Sequence, residues 1–178
     1  MSPRLSESEI QKLVQTTSPG LSQLELSLIV AFNALQQWVG RCGAAAGGKE
    51  FSPFELLVLH MISYGDGTKR IADVCFAVKV EDTHLVAYAI KKLTKSNLVT
   101  STRSGKDTFF KCTESGQALL ARYKEVRTRY LVRTIARLAG SDVDLDQTAE
   151  TLRLLTGLYE QAARQLEIGV DQHDLPLV

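Results

Sequence analysis

Cysteine, proline and tryptophan are scarce in this sequence, which has 3 Cys, 4 Pro and 1 Trp among 178 residues. An odd number of widely spaced cysteines argues against a framework of structural disulfides. No apolar run reaches the roughly 18 residues of a membrane span, and the N-terminus lacks the apolar core of a secretion signal. We therefore expect a cytoplasmic protein with no membrane partner.

The short motifs of common catalytic sites are also missing. The sequence has no glycine-rich phosphate loop, no Cys-x-x-Cys, no His-Glu-x-x-His and no Gly-x-Ser-x-Gly. Its histidines, His60, His84 and His173, fall in an apolar helix, a polar helix and the tail, which is not the spacing of a metal site. We expect no enzyme, no metal ion and no cofactor.

The net charge of +1 hides an uneven distribution. Residues 61–133 carry 14 Lys and Arg against 7 Asp and Glu, whereas residues 1–60 carry 4 against 5 and residues 134–178 carry 3 against 8. A basic middle section favours a surface that binds a polyanion. A basic face that is merely solvated would have the same composition, so both interpretations stay open.

Hydrophobic periodicity predicts a helix over residues 21–41, with a seam close to a heptad. The seam consists of Leu21, Leu24, Leu28, Phe32, Leu35 and Val39. Further apolar residues lie on its other sides, so either a partner subunit or the rest of the chain must cover them. A short helix over Glu7–Gln15, begun by a Ser6–Glu9 capping box, precedes it, and Thr17–Gly20 is predicted to form a turn. Residues 42–49, which include Cys42, are predicted to form a loose connection.

The central section has the order of a helix-turn-helix followed by a wing. Ser52, Pro53 and Glu55 predict the start of a supporting helix. Two helices, Arg70–Val78 and Thr83–Ser96, and two strands, Leu98–Thr102 and Asp107–Cys112, follow it. Asp82 is expected to cap the second helix, and Asn97 is expected to end it in the left-handed conformation.

Two further helices are predicted after the wing. One begins at Thr113–Gly116 and runs to Leu138, with an apolar and a basic face, and a break is expected at Gly140–Asp144. Asp144 and Gln147 form a second capping pair, and the last helix, with a seam from Leu152 to Leu166, ends near Gly169. The expected fold class is mainly α (α+β).

Two short motifs resemble those of the MarR (multiple antibiotic resistance regulator) family of winged-helix transcription factors. Leu93-Thr94-Lys95-Ser96-Asn97-Leu98-Val99 is similar to the family's Leu-x-x-x-Gly-Leu-Val, and Cys112-Thr113-Glu114-Ser115-Gly116 to its Leu-Thr-x-x-Gly. The resemblance covers about residues 21–168, and we expect a single domain at 21–178. Residues 1–20 precede it as an N-terminal arm or a frayed terminus, and a small apolar stripe of Ile10, Leu13 and Val14 favours the arm. Within the single domain the resemblance implies a winged helix-turn-helix at 51–113 and dimerisation helices at 21–42 and 114–168.

The resemblance also implies a homodimer that binds a pseudo-palindromic site on double-stranded DNA. His84, Leu85, Ala87 and Tyr88 match positions that usually face base edges, and Lys92 matches a basic position near the DNA backbone. From the residues themselves, lysines and arginines supply phosphate contacts, while His84 and Tyr88 either read bases or decorate a solvated helix. The predicted DNA-binding residues are Thr83, His84, Tyr88, Lys91, Lys92, Lys95, Arg103 and Lys106.

The sequence departs from the family pattern at two places. The family's wing usually carries Asp-x-Arg, but Asp107 is followed here by Thr108 and Phe109, and Glu81 places a carboxylate just before the second helix. These departures leave an alternative open, a winged-helix interaction module that dimerises without reading DNA. The regulator interpretation adds a small-molecule effector as a partner, and Cys42 is the one candidate for a redox-sensing thiol.

Overall fold

The computed structural model describes residues 6–65, 67–137 and 144–170. The chain divides into two compact units, residues 1–131 and 132–178. The elements, in chain order, are α1 (Glu7–Ala45), α2 (Pro53–Ser63), β1 (Thr68–Lys69), α3 (Ile71–Val78), α4 (Thr83–Lys95), β2 (Val99–Ser104), β3 (Asp107–Cys112), α5 (Glu114–Arg127), a π-helical turn (Thr128–Val132), α6 (Arg133–Arg137) and α7 (Leu145–Val170).

Helix α2 lies at the centre of the first unit and packs against α1, α3, α4, α5 and β3. Its side chains include the most deeply buried ones of the core, Leu56, Val58, Leu59 and Ile62. Helix α4 contributes its whole apolar face, Val86, Ala89, Ile90 and Leu93, each at most 2% exposed. The helical spacing of that face in the sequence is therefore confirmed, and it fixes which side of α4 points outward.

The predicted helix starts are confirmed by their hydrogen bonds. The hydroxyl of Ser52 accepts from the backbone N–H of Glu55 at 3.2 Å, and the Glu55 carboxylate accepts from the N–H of Ser52 at 2.7 Å. Asp82 caps α4 by accepting from the N–H of His84 at 2.8 Å. Asp144 caps α7 by accepting from the N–H groups of Asp146 and Gln147. These bonds satisfy amides that a helix leaves unpaired in its first turn.

Two residues other than glycine have positive φ, Lys79 at 54° and Asn97 at 57°. Asn97 follows Ser96, the C-cap residue of α4, and has the conformation that the sequence predicted there. Lys79 ends α3, where its N–H donates to the carbonyl of Cys75. Asparagine adopts the left-handed region more readily than lysine, so the Lys79 position was not predictable from residue type.

The wing is an antiparallel hairpin of β2 and β3 whose register runs from Val99 opposite Cys112 to Ser104 opposite Asp107. Strand β1 pairs with the other edge of β3 and makes a three-stranded sheet in the order β1-β3-β2. The sequence did not reveal β1, because two residues are too few to show the alternation of a strand.

The predicted turn at Thr17–Gly20 is wrong, because α1 continues through Pro19 as one helix of 39 residues. A proline inside a helix removes one backbone hydrogen bond and crowds the preceding turn, but it need not end the helix. The hydroxyl of Thr16 donates to the carbonyls of Lys12 and Leu13 within this part of α1. Helix formation on both sides of Pro19 thus outweighs the local turn signal.

The predicted helix from Thr113 to Leu138 is not one regular helix. Thr113 caps α5 as expected, by accepting from the N–H of Gly116 at 3.1 Å, but α5 gives way at Thr128 to a π-helical turn. Such a turn adds a residue to the helical cycle and so rotates the faces beyond it, which periodicity counting cannot anticipate. Leu138 and most of the predicted break at Gly140–Asp144 lie outside the described residues.

Large apolar side chains remain exposed on α1 and on α7. On α1, Phe32 is 57% exposed and Leu35 is 55% exposed, and both belong to the predicted seam. On α7, Leu152 and Leu166 of the predicted seam are exposed as well. These seam residues are thus left open to solvent within the part of the chain that the structure describes, although Val39 at the end of the α1 seam packs against the core. Across the described ranges, no helix is both long and apolar enough to span a lipid bilayer.

The prediction that Cys42 lies in a loose connection is wrong. Cys42 falls in the last turns of α1, is 1% exposed and places its Sγ 3.6 Å from the backbone carbonyl oxygen of Tyr123. Burial raises the pKa of the Cys42 thiol, so less of the reactive thiolate forms at neutral pH than for a free cysteine. Both features count against the redox role. Cys75 is buried as well.

We expect the thiols of Cys42, Cys75 and Cys112 to resist modification in the native protein, because all three are buried. Burial also raises the pKa of the Cys112 thiol, so this resistance should persist from pH 7 into the mildly alkaline range. Dithionitrobenzoate should react slowly with the folded protein and promptly with all three thiols in guanidinium chloride. A native thiol that reacts promptly, and that Cys42→Ser removes, would restore the redox hypothesis.

Gly116 is a second point at which the fold is sensitive, because α5 here passes close to the wing. A Cβ added at Gly116 would collide with the carbonyl oxygen of Leu98 and lie 2.6 Å from the Sγ of Cys112. We expect Gly116→Ala to lower the free energy of unfolding by about 1–3 kcal/mol through overpacking, measured by urea denaturation at fixed protein concentration.

The matched control is Gly40→Ala in α1, where an added Cβ would meet only Pro53 Cγ at an ordinary 3.6 Å. Alanine favours the helix over glycine by up to about 1 kcal/mol, so this control should be neutral or slightly stabilising. Equal effects of the two substitutions would contradict the packing explanation.

Candidate nucleic-acid interface

The outward face of α4 carries most of the side chains predicted to bind DNA. Thr83, His84, Tyr88, Lys91 and Lys95 are all exposed, and Tyr88 is 68% exposed. His84, Tyr88, Lys91 and Lys95 follow one another at helical spacing, so they form a continuous stripe along the helix. Within the described ranges, no hydrogen bond or ion pair engages these side chains. The stripe therefore presents imidazole, phenol and ammonium groups to solvent, and Thr83 adds a hydroxyl group at the start of the helix.

The wing adds two more of the predicted residues. Arg103 lies on β2 opposite Thr108, and Lys106 lies in the turn that joins β2 to β3. Both side chains are exposed. Gly105, with φ of 62°, gives this turn the left-handed conformation that a tight hairpin needs. The sheet thus carries two cations beyond the core, at its projecting end.

Lys92 differs from the other predicted residues, because its ammonium group is used within the fold. Its Nζ lies 2.7 Å from Glu55 Oε2 and donates to the carbonyl of Glu50 at 2.6 Å. Its side chain is 35% exposed, whereas that of Glu55 is 8% exposed. The expected contact of Lys92 with the DNA backbone is thus opposed by an ion pair that already neutralises its charge.

Arg70 and Arg122 are two further cations that the fold uses and that the sequence did not mark. Arg70 forms a bidentate pair with Asp73, which lowers the pKa of the Asp73 carboxyl through their hydrogen bonds. Arg122 on α5 donates from Nε to the carbonyl of Ala46 at 2.7 Å. An Arg three residues before an Asp was a visible signal for the first pair, but nothing local indicated the second.

The departures from the family pattern lie beside this face. Phe109 is half-buried on β3, opposite Thr102, while the next residue, Phe110, packs against the core. Glu81 is exposed one residue before the cap of α4. The wing therefore presents a ring where the family usually has an arginine, and Arg103 and Lys106 supply the cations at its projecting end.

The remaining candidate residues do not join this face. His60 lies on α2, where its Nδ1 is 2.9 Å from the carbonyl oxygen of Leu56 and its ring packs edge-on against Tyr123 at 4.9 Å. Cys42 is buried in α1. In the described part of the chain, no group of His, Cys, Asp and Glu side chains is arranged to hold a metal ion. The candidate site is therefore α4 with the wing.

Comparison with known proteins agrees with this geometry. Residues 51–116 match the family described as a winged helix DNA-binding domain. Similar solved structures include a MarR family regulator from Neisseria meningitidis (16% identity, TM-score 0.64, covering 84% of this chain and 98% of that one). Another is the M. tuberculosis transcriptional regulator MOSR in complex with DNA (15% identity, TM-score 0.60, covering 77% and 96%).

A third similar structure is Bordetella bronchiseptica BpsR, whose DNA binding is regulated by 6-hydroxynicotinic acid (16% identity, TM-score 0.51, covering 77% and 98%). No curated protein sequence matches the chain significantly. These neighbours are named for transcriptional regulation or for DNA binding. Residues 51–116 are thus similar to a winged helix DNA-binding domain, and the chain has the fold of the MarR family regulators.

Proposed function

We propose that this protein is a homodimeric transcriptional regulator of the MarR type that binds a specific sequence of double-stranded DNA. The observation that carries the proposal is the outward face of α4, where exposed polar and basic side chains are not used by the fold. A helix with one face in the core and such a stripe on the other fits the major groove. We call α4 the recognition helix from here on.

Sequence reading is assigned to the N-terminal half of the recognition helix. His84 and Tyr88 lie four residues apart on the exposed stripe. Imidazole and phenol groups can both donate and accept hydrogen bonds. Leu85 is 54% exposed beside them and offers an apolar contact of the kind that thymine methyl groups accept. Each good base contact contributes on the order of 1–3 kcal/mol of discrimination.

Affinity is assigned to cations that remain exposed. Lys91 and Lys95 continue the stripe toward the C-terminus of the recognition helix, and Arg103 and Lys106 lie on the wing. Such groups neutralise phosphates and release counterions, so the affinity should fall as the salt concentration rises. With α4 in the major groove, the wing would follow the backbone toward the neighbouring minor groove.

Dimer formation is supported by the apolar faces of α1 and α7. Single exposed apolar residues are ordinary, but a row of them along a helix marks a surface that another helix covers. Two copies that cover these faces with each other would place two recognition helices on a symmetric site. The half-sites would then lie about 34–36 Å apart, one turn of DNA.

We extend the proposal to a small-molecule effector and to action in the cytoplasm. The effector is supported by the neighbour from Bordetella bronchiseptica, which is named for regulation of its DNA binding by 6-hydroxynicotinic acid. The competing function is an interaction module that dimerises without reading DNA. Phe109 on the wing and Glu81 beside the recognition helix are the residues that favour it.

The first test selects duplexes from a random library with the native protein and then measures affinity at several salt concentrations. We expect a pseudo-palindrome to be enriched. Lys91→Ala should make the plot of log affinity against log salt shallower by about 0.9 for each phosphate that is no longer neutralised, hence roughly 1.8 for a dimer. Fluorescence anisotropy with the selected duplex is a suitable measurement.

The matched control for Lys91→Ala is Lys12→Ala, which removes an exposed lysine of α1 outside the winged helix and should leave the slope unchanged. If the folded native dimer enriches no sequence and binds random duplex weakly, the regulator proposal fails and the interaction module is favoured.

The dimer is tested separately with the exposed seam of α1. Phe32→Glu combined with Leu35→Glu would bury unpaired carboxylates in the proposed interface, at a cost of several kcal/mol. We expect this variant to be monomeric by light scattering at concentrations at which the native protein is dimeric. Gln37→Glu, an exposed position away from that seam, is the control and should stay dimeric. A dimeric seam variant would show that α1 does not form the interface through these residues.

A further inference from the structure

Lys92 lies among the exposed lysines of the recognition helix, but its surroundings are those of a structural residue. Lys91 and Lys95 extend into solvent, whereas Lys92 Nζ is bound to the Glu55 carboxylate and to the carbonyl of Glu50. The same Nζ lies 5.5 Å above the centre of the Phe51 ring. Lys92 is therefore joined to three residues of one short segment, all of them outside the recognition helix.

Glu55 makes a second hydrogen bond, which connects this ion pair to the start of α2. The Oε2 atom that accepts from Lys92 also accepts from the backbone N–H of Ser52, at 2.7 Å, and thereby closes the capping box of α2. One buried carboxylate oxygen thus ties the recognition helix to the first turn of the central helix. A buried carboxylate needs such partners, because an unpaired one carries a large desolvation cost.

Two of the three residues that Lys92 contacts, Glu50 and Phe51, belong to the α1–α2 connection, which we define as Ala46–Ser52. At its other end, Arg122 of α5 donates to the carbonyl of Ala46 at 2.7 Å. Gly47 in this connection has φ of +97°, a backbone conformation that residues with a side chain rarely adopt, and the position of its Cβ would lie at an ordinary 3.7 Å from Arg122 Nη2. Two cations from two helices thus hold the two ends of one connection.

The apolar contacts of the recognition helix do not fix its orientation by themselves. Burial of Val86, Ala89, Ile90 and Leu93 is favourable over a range of small rotations, because hydrophobic contact is non-directional. An ion pair with two short hydrogen bonds is directional. The bonds of Lys92 lie to one side of the helix axis, so they restrain rotation of the helix about that axis. Without this restraint, such a rotation would move His84 and Tyr88.

We propose that Lys92 is a positioning residue, which orients the recognition helix through Glu55 and the α1–α2 connection and does not neutralise a DNA phosphate. This inference rests on the proposed function, since it concerns how the same interface is held. Adjacent lysines thus have different roles, because Lys91 contacts a DNA phosphate and Lys92 stabilises the orientation of the recognition helix.

The two roles give different salt dependences. If Lys92 contacts a phosphate, Lys92→Met should make the salt slope shallower by about 0.9 per contact, as expected for Lys91→Ala. If Lys92 positions the helix, Lys92→Met should weaken binding to the selected duplex on the order of tenfold with the slope unchanged. Lys91→Ala, measured on the same duplex, serves as the reference for a phosphate contact.

Glu55→Gln provides a second test, because the two roles predict opposite changes in the affinity for DNA. Removal of a negative charge near DNA should strengthen binding if only electrostatics matter, because the carboxylate repels phosphate. The positioning role requires the reverse, a weakening comparable with that of Lys92→Met. Because the two residues form one contact, the double variant Lys92→Met/Glu55→Gln should lose no more affinity than either single variant.

The double variant also protects the test against misfolding, because it leaves no buried charge without a partner. Circular dichroism and light scattering on each variant confirm the fold and the assembly before affinity is compared. A shallower slope for Lys92→Met, or unchanged or tighter binding by Glu55→Gln, would overturn the positioning role while leaving the regulator proposal intact. Failure of the native protein to bind any duplex would overturn both.

Discussion

Burial of the inner face of the recognition helix against α2 is the interaction on which the rest of the winged helix depends. Val86 and Leu93 on one helix, and Val58, Leu59 and Ile62 on the other, are completely or almost completely buried. Each such side chain contributes about 1.5–3 kcal/mol when it is removed from water. This burial decides which face of the recognition helix remains outside, and so it selects the residues that can meet DNA. The ends of both helices are then set by caps, and their relative orientation by the few directional contacts between them.

These caps explain why much of the fold was predictable from the sequence. Ser52 with Glu55, Asp82, Asn97 and Thr113 each act within four residues of their own helix end, so the physical cause lies within a short window of sequence. The inner face of the recognition helix follows in the same way from a spacing of three and four. Local chemistry therefore gave the supporting helix, the helix-turn-helix and the hairpin nearly at their observed bounds. It also placed the outward face correctly, because that face is the complement of a buried one.

Features that depend on residues distant in sequence, or on competition between local conformational preferences, could not be predicted. Glu55 was visible as a capping residue, but its partner Lys92 lies 37 positions away and looked like any other lysine on a basic helix. Cys42 looked loose because glycine and alanine follow it, whereas contact with α5 buries it. At Pro19 a correct local rule gave the wrong result, because the helix on each side tolerates the absence of one hydrogen bond. The π-helical turn after α5 rotates the apolar face of the helix, whereas the apolar spacing of the sequence predicted one face that continues unchanged.

The division of cations between fold and surface bears on how this interface can work. Lys92, Arg70 and Arg122 are basic residues of the central section that internal contacts engage, which reduces the charge available to a polyanion. Three of the 14 Lys and Arg residues in the basic section 61–133 are thus engaged within the fold. In addition to phosphate contacts, occupancy of a specific site should depend on contacts with base edges. Such contacts require His84 and Tyr88 to be held at fixed positions, because hydrogen bonds to bases weaken steeply with misalignment. Lys92 would therefore support these base contacts by orienting the recognition helix, while the exposed lysines and arginine of the interface remain available for phosphates.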